Sequence, residues 1–404
     1  MDKNLRKNFA WNIIGVSINS FNSLLYLMVI NRINSKFDAG IFTFAFSLMS
    51  LFYIMAIYYT RVFQISNGED NNKYISCRLA TCLLTIIIVF LLCIANSYDF
   101  YKLIVIMLLC VYRILEAMAD VFYGILHRHD ELFKSGISLT IKGILSIVSF
   151  TIIDIVTNNL IYSILGIIIS NLFVFILFDL LSSRKYLKNF KFSFNFYDVL
   201  KESFPIFIIA FASIYMVNVS KYILDFYDTA EVQNIFGIIL MPATFMSLCA
   251  QYIMNPFLNV LDELKNNKKN FEFIRLSKKI TISLLFVGVL VLVVSYFIGI
   301  RVLNILYSID LCAYNIDLMM IIVGSTLFAL ANAYSSVLVI LKKNYLQMFI
   351  YLFVSVTSTI VGVILVSIYH LRGASISYLI SMMLLYVLYY IVYKYYLKEF
   401  FYER

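Results

Sequence analysis

Long apolar runs separated by short polar segments fill this chain from end to end. Twelve runs have about the twenty residues that an α-helix needs to cross a bilayer. The first six candidate spans are residues 9–31, 39–60, 79–97, 103–124, 136–156 and 159–181. The second six are residues 203–224, 234–260, 280–300, 315–341, 346–368 and 373–393. The runs lack the alternation of membrane β-strands, so they predict an all-α polytopic membrane protein.

Composition supports the membrane interpretation. The 404 residues are 62% hydrophobic and 14% charged, with a mean hydropathy of +0.89. A soluble domain has about half apolar and about a quarter charged residues. The first span follows Lys3, Arg6 and Lys7, as a signal peptide would, but it is too long and no small-residue cleavage site follows. We therefore expect it to be a retained helix.

The net charge of +9 is distributed unevenly between the connections. Taking every second connection, starting with the N-terminal arm, one side holds 24 Lys and Arg and the other holds 6. Arg113 and Lys142 lie deep inside spans and belong to neither side, whereas Lys221, near the outer end of the seventh span, is counted among the 6. Basic connections stay in the cytoplasm, so the pattern predicts a cytoplasmic-membrane protein with both termini inside. The charge is thus an orientation signal, and we expect no nucleic-acid partner.

A basic connection divides the twelve spans equally. Residues 182–202 carry five Lys and Arg, which separate a first lobe (1–181) from a second lobe (203–404). Residues 261–279 form another basic segment, and we expect both to lie near anionic lipid headgroups. The halves are weakly repeated, and a shift of 212 residues places Asp120 on Asn332. Six-helix repeats are a recurrent transporter design.

Arg113, Glu116 and Asp120 are the main candidates for function. Their spacing of three and four residues places them on one face of the fourth span. Lys142 on the fifth span lies at the depth of the two acids, so these two cations and two acids would form a near-neutral cluster. Charges inside a membrane span usually face a protein interior or a hydrated path. A structural ion-pair knot is the alternative, but Arg113 has no obvious partner at its own depth and suits capture of a phosphate.

Amides and a further lysine extend this set. They share helix faces on the first, seventh and eighth spans, where amides either join helices or line a hydrated path. They are Asn12, Asn19 and Asn22, then Asn218 and Lys221, then Gln251, Asn255 and Asn259. We expect a polar cavity wall from Asn19, Asn22, Asn218 and Lys221. Lys221 and Asp225, four residues apart, also suit a local ion pair.

The sequence lacks the motifs of disulfide frameworks, metal sites and nucleotide-binding loops. The six cysteines show neither a disulfide framework nor metal-ligand spacing, so we expect no metal and no cofactor. A nucleotide-binding loop of the G-x-x-x-x-G-K type is missing. Transport would therefore use an ion gradient, of H⁺ or Na⁺, or a downhill substrate.

Short motifs resemble bacterial polysaccharide repeat-unit flippases of the Wzx type. These belong to the multidrug, oligosaccharidyl-lipid and polysaccharide (MOP) exporter superfamily. The motifs are Arg61-Val-Phe-Gln64; Arg113-x-x-Glu116-x-x-x-Asp120-x-x-x-Gly124; Ser138 with Lys142-Gly143; Ser203-Phe-Pro205; Lys221-Tyr-Ile-Leu-Asp225; and Asn255-Pro256. The resemblance covers residues 1–260 by motif and the rest by helix count. Ile65-Ser66-Asn67 departs from it where an aspartate is expected.

The resemblance implies a fold and an activity. The fold would be twelve helices in two six-helix lobes around a central cavity, as in multidrug (MATE) exporters. By alternating access, an undecaprenyl-diphosphate-linked oligosaccharide would move from the inner to the outer leaflet for O-antigen, capsule or exopolysaccharide synthesis. Partners would be membrane lipids, a polysaccharide polymerase and glycosyltransferases. Arg61, Gln64, Asn12, Gln251, Asn255 and Asn332 are secondary candidates for the substrate path.

Three other functions compete with this one. A cation-coupled multidrug exporter would have the same fold, but Arg113 and Lys142 would repel cationic drugs. A lipid II flippase is a relative that usually has more than twelve spans. A membrane-embedded polysaccharide polymerase or glycosyltransferase would need a large outer loop, whereas the outer connections here are short. We therefore predict a transporter and not an enzyme.

Overall fold

The computed structural model of the chain describes residues 3–67, 70–187 and 191–402. Helices make up nearly all of this part of the chain, and no strand occurs in it, which confirms the all-α prediction. By length and composition, ten helices among the described residues can cross a membrane. Residues 188–190 of the predicted basic linker lie outside the described residues.

The helices of the first half follow the predicted spans and extend beyond most of them. They are α1 Lys3–Ile33, α2 Lys36–Ile57, α3 Arg61–Asn67, α4 Asn71–Ala95, α5 Phe100–Arg128, α6 Leu132–Thr157, α7 Leu160–Val174 and α8 Leu181–Ser183. A π-helical turn, Phe175–Leu180, joins α7 to α8, and a 3₁₀ turn, Arg184–Tyr186, follows. Helix α2 ends at Ile57, three residues before the predicted end of the second span, because Tyr58 and Tyr59 have φ of 46° and 52°.

The second half contains seven further helices. They are α9 Tyr197–Tyr227, α10 Ala230–Ile239, α11 Met241–Asn266, α12 Asn270–Val294, α13 Ile300–Tyr307, α14 Asn315–Ile340 and α15 Asn344–Tyr402. The π-helical turn Ser295–Gly299 joins α12 to α13. Helix α15 is interrupted at His370, whose φ of 51° and ψ of −129° are not helical.

The ten helices that can cross a membrane account for all twelve predicted spans once two differences are considered. The fourth predicted span is α5, which has 29 residues but carries Arg113, Glu116 and Asp120 and so exceeds the charge that a simple apolar span tolerates. The last two predicted spans are the two parts of α15 on either side of His370. With α5 added and α15 divided, the described residues contain twelve helical segments of spanning length.

The helices group into two compact units, Met1–Phe211 and Ala212–Arg404. They are called here the first and second unit. The division falls inside α9, and the predicted linker 182–202 belongs to the first unit. Assignment of residues 1–181, 182–202 and 203–404 to two lobes and a linker stays a prediction.

Close packing of α1 on α6 forms one wall of the first unit. A side chain at Gly15 would collide with the backbone at Gly136, and one at Gly136 would collide with the backbone of Trp11. Glycines allow two helix backbones to approach this closely in a membrane, where apolar surface alone does not drive helices together. This contact places the polar face of α1 beside α6 and α5.

Candidate functional site

Glu116 lies at the centre of a hydrogen-bonded group in the first unit. Its Oε2 accepts from Arg113 Nη1 at 2.6 Å. Its Oε1 accepts from Tyr112 Oη at 2.9 Å and from Asn19 Nδ2 at 3.2 Å. The predicted shared face of α5 therefore exists, and it turns toward α1. Three donors on two oxygens fix the orientation of this carboxylate.

Arg113 lies at mid-helix, about 20 Å from either end of α5. Its guanidinium is 4.5 Å from the ring of Phe46 and also approaches Tyr53 and Tyr112, while Nη2 donates to Ser50 Oγ at 3.0 Å. The expectation that Arg113 has no partner at its own depth is wrong, because Glu116 lies one helical turn away and its carboxylate reaches back. A guanidinium has five N–H bonds, and these contacts use two of them.

Asp120 binds two arginines from earlier in the chain, one at the start of α3 and one in α4. Its Oδ1 accepts from Arg61 Nη1 at 3.1 Å, and its Oδ2 accepts from Arg78 Nη2 at 2.9 Å. The Arg78 side chain has no exposed surface and also donates to the Ala56 carbonyl and Thr60. Arg61 and Arg78, which the charge count places on the cytoplasmic side, therefore turn their side chains into the first unit. The break at Tyr58 and Tyr59 allows the chain to return toward α5.

Lys142 pairs with an acid that the sequence interpretation overlooked. Its Nζ lies 2.5 Å from Asp179 Oδ2, and the side chains are 4% and 0% exposed. Tyr123 Oη accepts from the same Nζ at 3.1 Å. Lys142 therefore does not neutralise Glu116 or Asp120, as the predicted cluster required. Asp179 lies in the π-helical turn after α7, where the extra residue in the turn rotates the following side chains.

A cavity of about 200 Å³, called here the polar cavity, adjoins these groups. It is lined by Val16, Asn19, Ser20, Tyr53, Arg61, Glu116, Ala119, Asp120, Tyr123, Leu139 and Lys142. Together with its neighbours Arg78, Arg113 and Asp179, the charged lining forms what we call the charged cluster. It has four cations and three carboxylates, an excess of one positive charge. The predicted cluster of two cations and two acids was too small.

The structure separates the predicted amides. Asn19 lines the polar cavity, whereas Asn22 is buried and donates to the Gly143 carbonyl at 3.0 Å, which joins α1 to α6. Asn218 is buried and donates to the Ile214 carbonyl of its own helix. Asn12 is half-buried in α1. Asn22 thus acts as helix glue, contrary to its expected place in a cavity wall.

Gln64 explains one glycine of the motif. Its carboxamide is buried, donates to the Val121 carbonyl at 3.1 Å, and occupies the space that a side chain at Gly124 would need. The Arg61-Val-Phe-Gln64 and Gly124 motifs therefore meet in one contact between α3 and α5. Gln64 fixes α3, and with it Arg61.

The remaining candidates lie in the second unit. Lys221 is half-buried, and its carbonyl accepts from Gln233 at 3.2 Å. Gln251 and Asn255 are exposed on α11. Asn332 accepts from Tyr351 Oη at 3.1 Å. The Lys221–Asp225 ion pair stays a prediction.

Arg78 and Asp179 are the functional candidates that the sequence interpretation missed. Asp179 carried a usable signal, since it is an acid inside the apolar run 159–181. Arg78 precedes the predicted start of the next span by one residue and was indistinguishable from a loop cation. Among the described residues, no group of His, Cys, Asp and Glu has the arrangement of a metal site.

Comparison with known proteins supports a transporter. No family model matches the chain. The capsular polysaccharide biosynthesis protein CapF of Staphylococcus aureus is 26% identical over 397 residues, which cover 96% of this chain and 99% of CapF. A solved structure of the lipid II flippase MurJ, in an inward closed conformation, has a TM-score of 0.73 at 16% identity and covers 95% of this chain and 87% of that chain.

A variant of the MATE transporter VcmN from Vibrio cholerae has a TM-score of 0.68 at 13% identity, with coverage of 98% and 97%. These similarities agree with the resemblance to MOP-superfamily flippases that the motifs indicated. The chain is a multi-pass membrane protein with the transporter fold that MATE exporters and MurJ share.

Proposed function

We propose that this protein is a flippase that moves an undecaprenyl-diphosphate-linked oligosaccharide from the inner to the outer leaflet of the cytoplasmic membrane, for polysaccharide synthesis. One observation carries the proposal. The charged cluster has one positive charge in excess, and it lies beside a cavity of about 200 Å³, which is large enough to hold water, among apolar helices. A diphosphate is an anion that needs such a counter-charge when it leaves water.

The names of two similar proteins support the substrate class. CapF is a capsular polysaccharide biosynthesis protein, and MurJ is a flippase for lipid II. Both names connect this fold or sequence to the envelope glycans of bacteria. A multidrug exporter of the same fold is the alternative, and a net positive cluster is unfavourable for a cationic drug.

Arg113 is the residue that we assign to phosphate capture. It keeps three N–H bonds beyond its contacts with Glu116 and Ser50, and aromatic rings shield it from lipid. A planar guanidinium binds phosphate oxygens through two parallel hydrogen bonds, which an ammonium does not match. Arg113 adjoins the polar cavity through Glu116, whereas Arg61 and Lys142 line the cavity and would balance the remaining charge of the headgroup.

Because the sequence lacks a nucleotide-binding loop of the G-x-x-x-x-G-K type, we propose that an H⁺ or Na⁺ gradient drives transport. We also propose that both termini face the cytoplasm and that glycosyltransferases and a polymerase act on the same glycan before and after this step. Reporter fusions at residue 404 and near Asn270 test the orientation. An outward signal from either fusion would contradict it.

Export of oligosaccharide, normalised to membrane-inserted protein, tests the function. We expect Arg113→Ala to lower export about tenfold to a hundredfold, because hydrogen bonds to a charged group are worth about 1.5–3 kcal/mol. Arg113→Lys keeps the charge and should retain partial activity. Lys185→Ala is the matched control, since it removes a cation whose side chain is 53% exposed. Normal export by Arg113→Ala at wild-type abundance would show that the cluster is structural.

A further inference from the structure

An apolar crevice opens on the second unit, apart from the polar cavity. It has a volume of about 440 Å³ and is lined between α12, α14 and α15, with Leu292, Met319, Met320 and Leu379 among its walls. Its walls present only apolar atoms. The volume lies within the range of about 300–1,000 Å³ that is usual for small-molecule sites. The crevice is therefore large enough to hold part of a lipid chain.

The π-helical turn Ser295–Gly299 shapes the mouth of this crevice. Tyr296 and Phe297 lie in the turn, and their side chains are 62% and 68% exposed. They line the apolar crevice and also a second cavity of about 240 Å³. Because the same two rings belong to both linings, the two cavities adjoin.

The second cavity, called here the polar vestibule, has the polar groups that the crevice lacks. Its lining includes Arg301, Cys312 and Asn315. Arg301 is exposed, and Asn315 Oδ1 is buried without a hydrogen-bond partner. Arg301 is nine residues from Leu292, which corresponds to about 14 Å along the helix. A cation thus stands at one end of an apolar channel.

We propose that the crevice and vestibule bind the polyprenyl chain and the phosphate headgroup of the lipid substrate on the side where the product leaves. The inference rests on the proposed function. Ordinary bilayer lipid would fill the apolar part equally well, but the adjoining guanidinium selects an anionic phosphate headgroup. Arg301 is about 9 Å from the end of α13 at Tyr307, the depth of an interfacial headgroup. In the proposed orientation, this end faces outward.

Photocrosslinking tests the site directly. The full chain would be reconstituted in phosphatidylcholine nanodiscs with undecaprenyl diphosphate that bears a diazirine in its chain, and crosslinked residues would be mapped by mass spectrometry. We expect crosslinks at Met319 and Met320. Arg301→Gln should lower capture about tenfold, the value of a lost charged hydrogen bond. Met320→Trp should fill the crevice and lower capture similarly.

Two controls separate the possible outcomes. Ile282→Trp places the same bulky ring on α12 at a position that is 65% exposed and outside the crevice, so capture should be unchanged. Phosphatidylglycerol added at the probe's concentration should not compete, and full competition would assign the crevice to bulk anionic phospholipid and overturn the proposal. Crosslinks confined to the first unit would overturn it while the proposed flippase stands. Failure of the probe to bind anywhere would count against the flippase itself.

Discussion

The first and second units differ in the charge of their equivalent interior positions. A shift of 212 residues places Arg113, Glu116, Asp120 and Lys142 on Ser325, Phe328, Asn332 and Val354. Every charge of the first unit at these positions is replaced by a neutral side chain in the second. Asp120 binds two arginines, whereas Asn332 accepts one hydrogen bond from Tyr351. The fold therefore does not require the charges.

Neutral hydrogen bonds join helices at several buried positions of the second unit, beside one ion pair between Arg372 and the buried Asp317. Gln347 is buried and accepts from Ser335 at 2.5 Å and from Tyr389 at 3.3 Å, and Ser277 pairs with Tyr393 at 2.7 Å. Neutral hydrogen bonds of this kind hold membrane helices together without the desolvation cost of a buried ion. At the positions equivalent to Arg113, Glu116, Asp120 and Lys142 the second unit packs without charge, so packing alone does not account for the charged cluster of the first unit.

Removing the charge of Asp120 should have the largest effect on this comparison. Asp120→Asn makes the position resemble Asn332 but leaves the buried Arg78 without its counter-ion. Breaking a buried pair on one side costs about 3–5 kcal/mol, so we expect a large fall in the thermal unfolding midpoint of the purified protein in detergent. Asn332→Ala is the control and should cost about 1 kcal/mol, the value of one neutral hydrogen bond. Equal shifts would remove the distinction between the units.

The Lys142–Asp179 pair separates a structural role from a transport role. Lys142→Ala leaves the buried Asp179 unpaired, and we expect a loss of about 3–5 kcal/mol in unfolding free energy. The double variant Lys142→Met with Asp179→Leu should restore stability, because apolar residues often replace a buried pair without loss. Export by the double variant should remain impaired. Restored export together with restored stability would make the pair structural only.

Adding a charge to the second unit tests the comparison in reverse. Asn332→Asp introduces a carboxylate where Tyr351 supplies one hydrogen bond and no arginine takes the place of Arg61 or Arg78. We expect a loss of about 1–3 kcal/mol, smaller than for Asp120→Asn because the site is only half-buried. The unfolding midpoint in detergent measures it, with Asn332→Gln as a neutral control. An unchanged midpoint would mean that this position is hydrated.

The smallest effect concerns Glu131, in the connection between α5 and α6. Partial burial opposes ionisation there, but hydrogen bonds from Lys134 and Lys185 lower the pKa of Glu131 from 4.5 to about 2. A lowered pKa contributes stability above pH 4.5, and the contribution is lost as the pH falls from 4.5 through about 2. For exposed pairs we expect less than about 1 kcal/mol. The corresponding residue of the second unit is Lys343, so only the first unit should respond.

Unfolding midpoints between pH 5 and about pH 2 measure the Glu131 effect. The wild type should lose stability across this window, and Glu131→Gln should lose less, because the amide does not titrate. Parallel curves for the two proteins would show that these surface pairs contribute nothing measurable, which is common for exposed ion pairs.

The sequence alone determined the membrane class, the helices and the charged face of α5. A run of about twenty apolar residues crosses a bilayer as an α-helix. The bilayer core offers no water to the backbone, and a helix makes all of its backbone hydrogen bonds within the segment. The spacing of Arg113, Glu116 and Asp120 follows from the helical period and needs no tertiary information. The weak repeat also marked Asp120 and Asn332 as a pair worth comparing.

Only the tertiary structure decided which charges meet. In the sequence, Arg61 and Arg78 have the positions of cations in a loop. In the structure, the positive φ angles of Tyr58 and Tyr59 turn the chain back, and both arginines reach Asp120. The π-helical turn after α7 brings Asp179 to Lys142 across thirty-seven residues of sequence. Partner choice depends on helix breaks, side-chain reach and close packing between helices. These features are set by long-range contacts, and periodicity along one helix carries no information about them.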